Sequence, residues 1–500
     1  MSVSARDHSI AINPLLQSVL PRDHRGPVYW DANGIYGSSQ SGTALKRLAS
    51  AGTISRWARC HSVSDLVKPW SQYLQDQSIL VEHTSVNPVH PLHAGSLRGS
   101  LIGGFLVRLL RSAGARVSSR YFVNDHGRQT RLLTWILQRT DMTLLPTHLR
   151  FDHAAAVLYA LVNMFQANRH QDIERLRQRH PWLEKVVSLS NDDHTHLMTS
   201  LRAREPLPQT FWHQRILRAA LSDLRTIRAA VDQVEYESTL PADATVLTEL
   251  ASHNDVTVVN GTLCLRRHQG LIPLTRADGS WLYFTRDVLN TRRQLAQADR
   301  VIHVVGDDQA LLQWALQDLF PPHTLDYVGF GVVTNQGRKF SARQNRLLTI
   351  TDILEKHGTQ GLWQLAFALT IRRRQTPIDL PDVTSAGLLP LIIQARRTAE
   401  NGHGVSRRSQ TSDDEAWPVL CLLLRTPATL LRSLQERSPH PVTQLLLHVS
   451  RAYLRAAHQH RVTPRIQTYF LEIQHMLADL HGLPLQILAG QDKQVEESPA

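Results

Sequence analysis

The chain has 500 residues, of which 42% are hydrophobic and 20% are charged. These values are ordinary for a globular protein and exclude a disordered chain, while the length exceeds that of one hydrophobic core and predicts roughly two to four domains. The formal net charge of +12 favours an anionic partner such as a nucleic acid.

The cysteines and the apolar segments restrict where the protein works. Cys60, Cys264 and Cys421 lie far apart and fit neither a disulfide framework nor a zinc site. The N-terminus lacks an apolar signal region, and no segment of the sequence is long and apolar enough to cross a bilayer. We therefore expect a cytoplasmic protein with no metal ligands and no membrane partner, and we expect it to be a monomer.

The first part of the chain predicts the start of an α/β fold. Residues 1–78 show little periodicity and predict a short N-terminal region of uncertain fold. A buried strand is predicted at 79–82, and apolar residues at helical spacing over 97–110 predict the helix that follows it. A second strand is predicted at 120–123, so the order strand, helix, strand indicates a doubly wound parallel sheet.

The rest of the chain predicts a helical insertion and a helical C-terminal half. Residues from about 130 to 240 are mostly helical by pattern and are predicted to be an insertion in a Rossmann-type α/β domain over 79–350. Two further strands are predicted at 281–285 and 301–305. Beyond about 351 the strands are expected to end, with a connecting helical segment over 351–385 and an all-α domain over 386–500.

The most informative segment joins the first strand to the first helix. Residues 81–98 have the sequence VEHTSVNPVHPLHAGSLR. A helix N-terminus presents backbone N–H groups to an anion, and His93 adds an imidazole at this point. Gly95 leaves room for a ligand to approach the backbone. An isolated His-X-Gly turn is more often structural, so the interpretation depends on the segments that follow.

Those segments carry a resemblance to a known family. Residues 121–129 (YFVNDHGRQ), 278–287 (DGSWLYFTRD) and 299–309 (DRVIHVVGDDQ) follow in the order found in arginyl-tRNA synthetases, which are class I aminoacyl-tRNA synthetases. Residues 337–344 (GRKFSARQ) resemble the mobile second signature loop of that class. The resemblance covers roughly residues 79–350, and it extends more thinly to 386–500 as an anticodon-binding-like bundle.

The resemblance implies that the protein binds ATP, accompanied by Mg²⁺. Ser96 stands where the family motif has a second histidine, His90 where a lysine is common, and Ala342 where the loop usually has a second lysine. Removing one donor to a developing anion costs about 3 to 4 kcal/mol, so these changes concern phosphate chemistry. The resemblance implies catalytic roles for His93, Ser96, Lys339 and Arg343, and nucleotide contacts for His90, Gly95, Gly306, Asp308 and Ser341.

The resemblance also implies that arginine is a substrate. A guanidinium group is a planar set of donors that needs carboxylate and amide acceptors at fixed positions. Taken singly, Asp287 has a simpler interpretation as a helix cap and Tyr283 as a strand residue. Together, the residues to which the resemblance assigns the arginine site are Glu82, Asn87, Asp125, Gln129, Tyr283, Asp287 and Gln309.

Three functions follow from these residues. The first is the ATP-dependent activation of arginine and its transfer to tRNA, as in protein biosynthesis. The second is a divergent paralogue that activates arginine for a non-tRNA acceptor, because the phosphate motif is altered beside a retained arginine set. The third is a catalytically silent protein that binds arginine or tRNA. A dehydrogenase is disfavoured, since no G-x-G-x-x-G segment follows a strand.

Overall fold

The computed structural model describes residues 61–203, 211–240, 244–268, 270–380, 387–406 and 417–488, together with the backbone of three short strands before them. The predictions for the remaining residues lie outside this description. In chain order, the described strands are β1 (Val28–Asp31), β2 (Gly34–Ser38), β3 (Leu45–Ser50), β4 (Ser78–His83), β5 (Arg116–Val123), β6 (Gln233–Tyr236), β7 (Val256–Val259), β8 (Thr262–Arg267), β9 (Gly270–Pro273), β10 (Arg300–Gly306), β11 (Leu325–Phe330), β12 (Val333–Asn335), β13 (Arg338–Lys339) and β14 (Ile378–Asp379).

Helices make up most of the remaining described chain. Short 3₁₀ turns also occur, at Glu237–Thr239, Asp307–Gln309 and Ala342–Gln344 among others. In chain order, the α-helices are α1 (Val63–Ser71), α2 (Ala94–Ser112), α3 (Arg128–Leu137), α4 (Phe151–Gln166), α5 (His170–Arg179), α6 (Leu183–Val186), α7 (Asn191–Ala203), α8 (Phe211–Thr226), α9 (Ala244–Ala251), α10 (Tyr283–Leu295), α11 (Ala310–Gln317), α12 (Ile350–Thr370), α13 (Leu388–Glu400), α14 (Trp417–Leu423), α15 (Thr426–Glu436), α16 (His440–His458), α17 (Pro464–His481) and α18 (Leu485–Leu488).

A five-stranded sheet forms the centre of the described structure, in the order β11-β10-β4-β5-β6. Every neighbouring pair in this sheet is parallel. The chain starts in β4, moves outward through β5 to β6, and then crosses to β10 on the other side of β4. The order therefore reverses between β4 and β10, and ligands of open α/β sheets bind at such a switch point, outside the carboxyl ends of the strands. The predicted parallel-sheet α/β fold is confirmed.

Helix α2 connects β4 to β5 and packs closely on the sheet. Its predicted apolar positions, including Leu97, Leu101 and Phe105, are buried. Gly103 lies against His83 so tightly that an added Cβ would collide with that side chain. The N-terminus of α2 is thereby held at the carboxyl end of β4.

Two predictions about strands are wrong, and one strand of the central sheet was not predicted. Residues Trp281–Thr285 do not form a strand, because Leu282 is extended as the N-cap of α10 and Phe284 and Val288 turn toward the core. The unpredicted strand is β6, which lies inside the stretch predicted to be mostly helical; Gln233 is exposed and the other three residues are only partly buried, so its apolar pattern is weak. Strands also continue beyond residue 351, since β14 pairs with β12.

Two smaller antiparallel sheets were not predicted. Within the described residues, β1-β2-β3 form one sheet in the N-terminal region and β7-β8-β9 form another. Leu265 and Leu274, in and next to the second sheet, join the cluster that holds Phe284 and Val288 of α10. This small sheet therefore supports the helix that carries Asp287.

The helical insertion has a core of its own that reaches the signature segments. Helices α3 to α8 contribute to a separate cluster of buried apolar side chains, which includes Leu133 and Leu158. Val89, from the turn before α2, is part of this cluster. Ala342 packs against it from residues 337–346, a loop that exposes Arg338, Lys339, Arg343 and Arg346 and is named the basic loop. The insertion is thus in contact with both segments that resemble the family signatures.

Two arginines connect α2 to later parts of the chain, Arg98 to the segments that follow β11 and α12 and Arg108 to α17. Arg98 donates hydrogen bonds to the carbonyls of Gly331 at 3.0 Å, Thr376 at 2.6 Å and Arg373 at 2.9 Å. Arg108 reaches the carbonyl of Leu480 at 3.0 Å.

In the described part of the chain, no helix is both long enough and apolar enough to span a membrane. The predicted domain boundaries stay predictions.

Candidate active site

Several of the predicted site residues lie at the carboxyl ends of the parallel strands, where ligands of such sheets bind. Asn87, His90 and His93 come after β4, and Asp125 comes after β5. Strand β6 is the outermost strand on one side of the sheet, and Glu237 follows it directly. Gly306 ends β10, and Asp308 and Gln309 form the 3₁₀ turn that follows.

His93 is the N-cap of α2. Its Nδ1 accepts a hydrogen bond from the backbone N–H of Gly95 at 3.0 Å, so a neutral ring carries its proton on Nε2. Burial, together with the nearby His90, lowers the pKa of His93 to about 3. At neutral pH the ring is therefore a neutral donor, and the positive potential at this turn comes from the start of the helix.

Ser96 completes a capping box with His93. The Ser96 hydroxyl accepts from the His93 N–H at 3.2 Å and donates to the His93 carbonyl at 2.9 Å. The one proton of the hydroxyl is therefore used inside the turn. The structure therefore uses the Ser96 hydroxyl to hold the helix start, and the predicted catalytic role of Ser96 stays a prediction.

The basic loop packs over the start of α2. The Phe340 ring lies 5.8 Å from the His93 ring, and the His90 ring lies 5.2 Å from His93 on another side. The Ala94 N–H donates to the Leu348 carbonyl at 2.8 Å, which fixes the chain after the loop against the same turn. Burial lowers the pKa of His90 as well. A Cβ on Gly95 would come within 2.7 Å of the His93 ring, so this close packing requires glycine.

The cationic side chains of this loop point into solvent. Lys339 lies on β13, which pairs with β12, and both Lys339 and Arg343 are exposed. Ser341 and Arg346 exchange two backbone hydrogen bonds of 2.9 Å, which close the loop between them. The loop therefore presents positive charge beside the N-terminus of α2.

The opposite side of the site is acidic. Glu82, at the end of β4, is buried and accepts hydrogen bonds from the amides of Asn290 at 3.0 Å and Gln294 at 2.6 Å. Desolvation, followed by the charges of Glu82 and Glu237, raises the pKa of Asp287 well above its usual value. Asp287 lies within α10, and Leu282 is the N-cap of that helix, so the interpretation of Asp287 as a cap is wrong.

Glu237 is a site residue that the sequence did not reveal. It is only 2% exposed, and one of its oxygens, Oε1, lies 3.4 Å from the Nε of Arg286. The other oxygen, Oε2, is buried with no hydrogen-bond partner among the described residues. Burial raises the pKa of Glu237 to about 7, against the opposing charge of Arg286. Its only possible signal was its position after β6, a strand that was not predicted.

The remaining predicted contacts lie around these carboxylates. Tyr283 is the first residue of α10, is 58% exposed, and has its hydroxyl beside Gly127, where a Cβ would lie 2.8 Å away. Gly127 has a φ of 110° and starts α3, on which Gln129 follows. Asp125 is occupied by Ser238, whose N–H and hydroxyl donate to it at 2.9 and 2.6 Å. It therefore acts as a support for the Glu237 turn in this structure.

We interpret this arrangement at the switch point of the parallel sheet as the catalytic domain of a class I tRNA synthetase. The model of the family "tRNA synthetases class I (R), catalytic domain" matches residues 63–366. The chain belongs to this family.

The relatives agree with this assignment. The arginine–tRNA ligase of Methanothrix thermoacetophila is 30% identical over 317 residues, which are 60% of this chain and 51% of the relative. That of Sulfolobus acidocaldarius is 27% identical over 343 residues, 56% and 55% of the two chains. The chain thus spans about half the length of the curated relatives it matches.

Solved structures share the fold over most of the chain. The arginyl-tRNA synthetase of Thermus thermophilus has a TM-score of 0.64 at 18% identity and covers 89% of this chain and 87% of its own. That of Plasmodium falciparum has a TM-score of 0.60 at 14% identity, with coverage of 91% and 86%. At these identities the likeness concerns the fold alone.

Proposed function

We propose that the chain is an arginine–tRNA ligase. The carboxylate of arginine attacks the α-phosphorus of ATP, and the bond to the β-phosphate oxygen breaks, which yields arginyl-adenylate and pyrophosphate. A hydroxyl of the terminal ribose of tRNA then attacks the carbonyl carbon of arginine. The arginyl group becomes an ester of tRNA, and AMP leaves.

The acidic cluster of Glu82, Glu237 and Asp287 carries this proposal. Asp287 and Glu237 both have raised pKa values because they are desolvated and lie near other carboxylates. Arg286 contacts one oxygen of Glu237 and leaves the other, Oε2, unpaired among the described residues. The carboxylates Glu82, Glu237 and Asp287 outnumber Arg286 in this site, and a substrate guanidinium provides a further, delocalised cation with several donors. Burying these carboxylates costs free energy that the bound cation offsets.

The turn at His93 and the basic loop fit the phosphate half of the reaction. The Nε2–H of the neutral His93 ring is a donor at the N-terminus of α2, where an anion is favoured. Lys339 and Arg343 are exposed on a loop whose Phe340 contacts His93, so they stand beside the same turn. These groups would stabilise the negative charge that develops on the phosphate oxygens.

ATP and tRNA are the further partners of this proposal. Mg²⁺ would accompany ATP and would neutralise part of the charge on its phosphates. Within the described residues, no group of three or more His, Cys, Asp or Glu side chains is arranged to hold a metal ion. The net charge of +12 favours association with tRNA. We place the protein in the cytoplasm as a monomer.

Arginine-dependent exchange of pyrophosphate into ATP, measured with and without tRNA, tests the proposal. We expect exchange with arginine, and arginyl-tRNA formation when tRNA is present. Asp287→Asn should reduce exchange by roughly tenfold or more through the loss of a charge-assisted hydrogen bond. Exchange without any arginyl-tRNA would indicate a non-tRNA acceptor. Arginine binding without exchange in either condition would indicate a silent binding protein.

A further inference from the structure

The basic loop is attached to the helical insertion as well as to α2. At the end of the loop, the Asn345 side-chain amide lies 2.8 Å from Nε2 of His180. His180 directly follows α5, so this hydrogen bond joins residues 165 positions apart in the chain. Ala342, earlier in the loop, packs against the apolar core of the insertion. The loop is therefore held on two sides, by the turn at His93 and by the insertion.

The donor and the acceptor of this hydrogen bond can both be identified. Desolvation, together with the nearby Arg179, lowers the pKa of His180, so the ring is neutral at pH 7 and its Nε2 accepts the Asn345 N–H. Asn345 has a left-handed backbone with φ of 49°, a conformation that asparagine and glycine adopt most easily. The backbone turn and the amide contact thus favour the same residue at position 345.

We propose that His180 is a positioning residue for the nucleotide step, because it holds the basic loop through Asn345 so that Lys339 and Arg343 stay beside the turn at His93. The part of this proposal that concerns catalysis rests on the proposed function. The attachment of the loop to the insertion is independent of the proposed function.

A proteolysis experiment tests the attachment without any substrate. Trypsin cleaves after lysine and arginine, and the loop exposes Arg338, Lys339, Arg343 and Arg346. Cleavage of a native loop requires local opening, which a lost hydrogen bond makes more frequent. We expect His180→Leu and Asn345→Gly to raise the cleavage rate between residues 338 and 346 by roughly threefold to tenfold.

Matched variants make this result specific. Gln178→Ala changes an exposed residue of the same helix and should be cleaved at the wild-type rate. His180→Gln places an amide oxygen near the position of Nε2 and should restore slow cleavage. Glycine at 345 keeps the left-handed turn, so His180→Leu combined with Asn345→Gly should be cleaved no faster than either single variant. A wild-type cleavage rate for His180→Leu, in a protein with unchanged thermal melting, overturns the proposal.

Exchange kinetics test the positioning role. We expect His180→Leu and Asn345→Gly to lower kcat/KM for ATP by the same threefold to tenfold factor while KM for arginine stays at the wild-type value, with recovery in His180→Gln. Faster cleavage with unchanged ATP kinetics overturns the positioning role. If the wild-type protein shows no arginine-dependent exchange, the proposed function fails, and the cleavage rates still decide whether His180 holds the loop.

Discussion

Replacing Glu237 with glutamine should make the free protein more stable and its arginine binding weaker. In the free protein the carboxyl group is buried, one oxygen lacks a partner among the described residues, and its pKa is raised from 4.5 to about 7. A folded-state pKa above the unfolded value means that folding favours the protonated acid. The cost of ionising Glu237 therefore grows as the pH rises from about 4.5 and is complete above pH 7.

The size of the effect follows from the pKa. One pKa unit corresponds to about 1.4 kcal/mol, so a shift from 4.5 to about 7 implies a cost of about 3 kcal/mol above pH 7. Glutamine removes this cost but loses the ionic contact with Arg286 and keeps a buried polar group. We expect a net stabilisation of about 1 to 2 kcal/mol at pH 8 and none at pH 4.

The affinity for arginine should change with pH and with the Glu237→Gln substitution in the direction opposite to the stability. The guanidinium favours the ionised carboxylate, so wild-type affinity is full above pH 7 and falls about tenfold between pH 7 and pH 5.5 through Glu237 alone. Because Glu237 is about half protonated at pH 7, binding should release about half a proton from it, with a further contribution from Asp287. Glu237→Gln should weaken binding at pH 8 by roughly tenfold to a hundredfold.

Calorimetry and thermal melting provide the assays. Titration with arginine in two buffers of different ionisation enthalpy gives both the dissociation constant and the number of protons released. Melting at pH 4 and pH 8 gives the change in stability, and Glu249→Gln, an exposed carboxylate paired with Arg292, is the matched control. The reasoning is refuted if Glu237→Gln melts below the wild type at pH 8, or if wild-type binding releases no protons at pH 7.

Three further predictions concern α2. Ser96→Ala should lower the free energy of unfolding in urea by about 1 kcal/mol, because it removes the capping box. The same variant should reduce the rate of pyrophosphate exchange by less than tenfold. A rate loss of 10² or more at unchanged stability would instead make Ser96 a phosphate donor. His93→Ala should reduce kcat for exchange by roughly 10² to 10³, and because the pKa of His93 is about 3, wild-type exchange should show no ionisation of this ring between pH 5 and 8. Arg98→Met should lower the free energy of unfolding by about 3 kcal/mol or more, since it leaves three carbonyls without their donor, whereas Arg98→Lys should lose less.

The sequence predicted the parts of the fold that local patterns encode. Strand β4, helix α2 and strand β10 have continuous apolar runs or helical spacing, because each is buried along most of its length. In β6, Gln233 is exposed and the other three residues are only partly buried, so the strand left no such pattern and its residues were included in the helical insertion. Aromatic residues at 281–284 suggested a strand, although tertiary packing of Phe284 and Val288 selects a helix there.

The candidate site, like the fold, was predicted in part from the sequence and in part was revealed only by the tertiary structure. By itself, the sequence determined which segments carry the chemistry, because the His93 turn, the basic loop and Asp287 lie in continuous motifs that resemble one family. Only the tertiary structure decided that Glu237 joins Glu82 and Asp287, that the Ser96 hydroxyl is used in a cap, and that His180 reaches Asn345 in the loop. These contacts depend on desolvation and on approaches between distant parts of the chain. The local sequence pattern indicates which side chains are buried, but it does not indicate which distant residue each of them contacts.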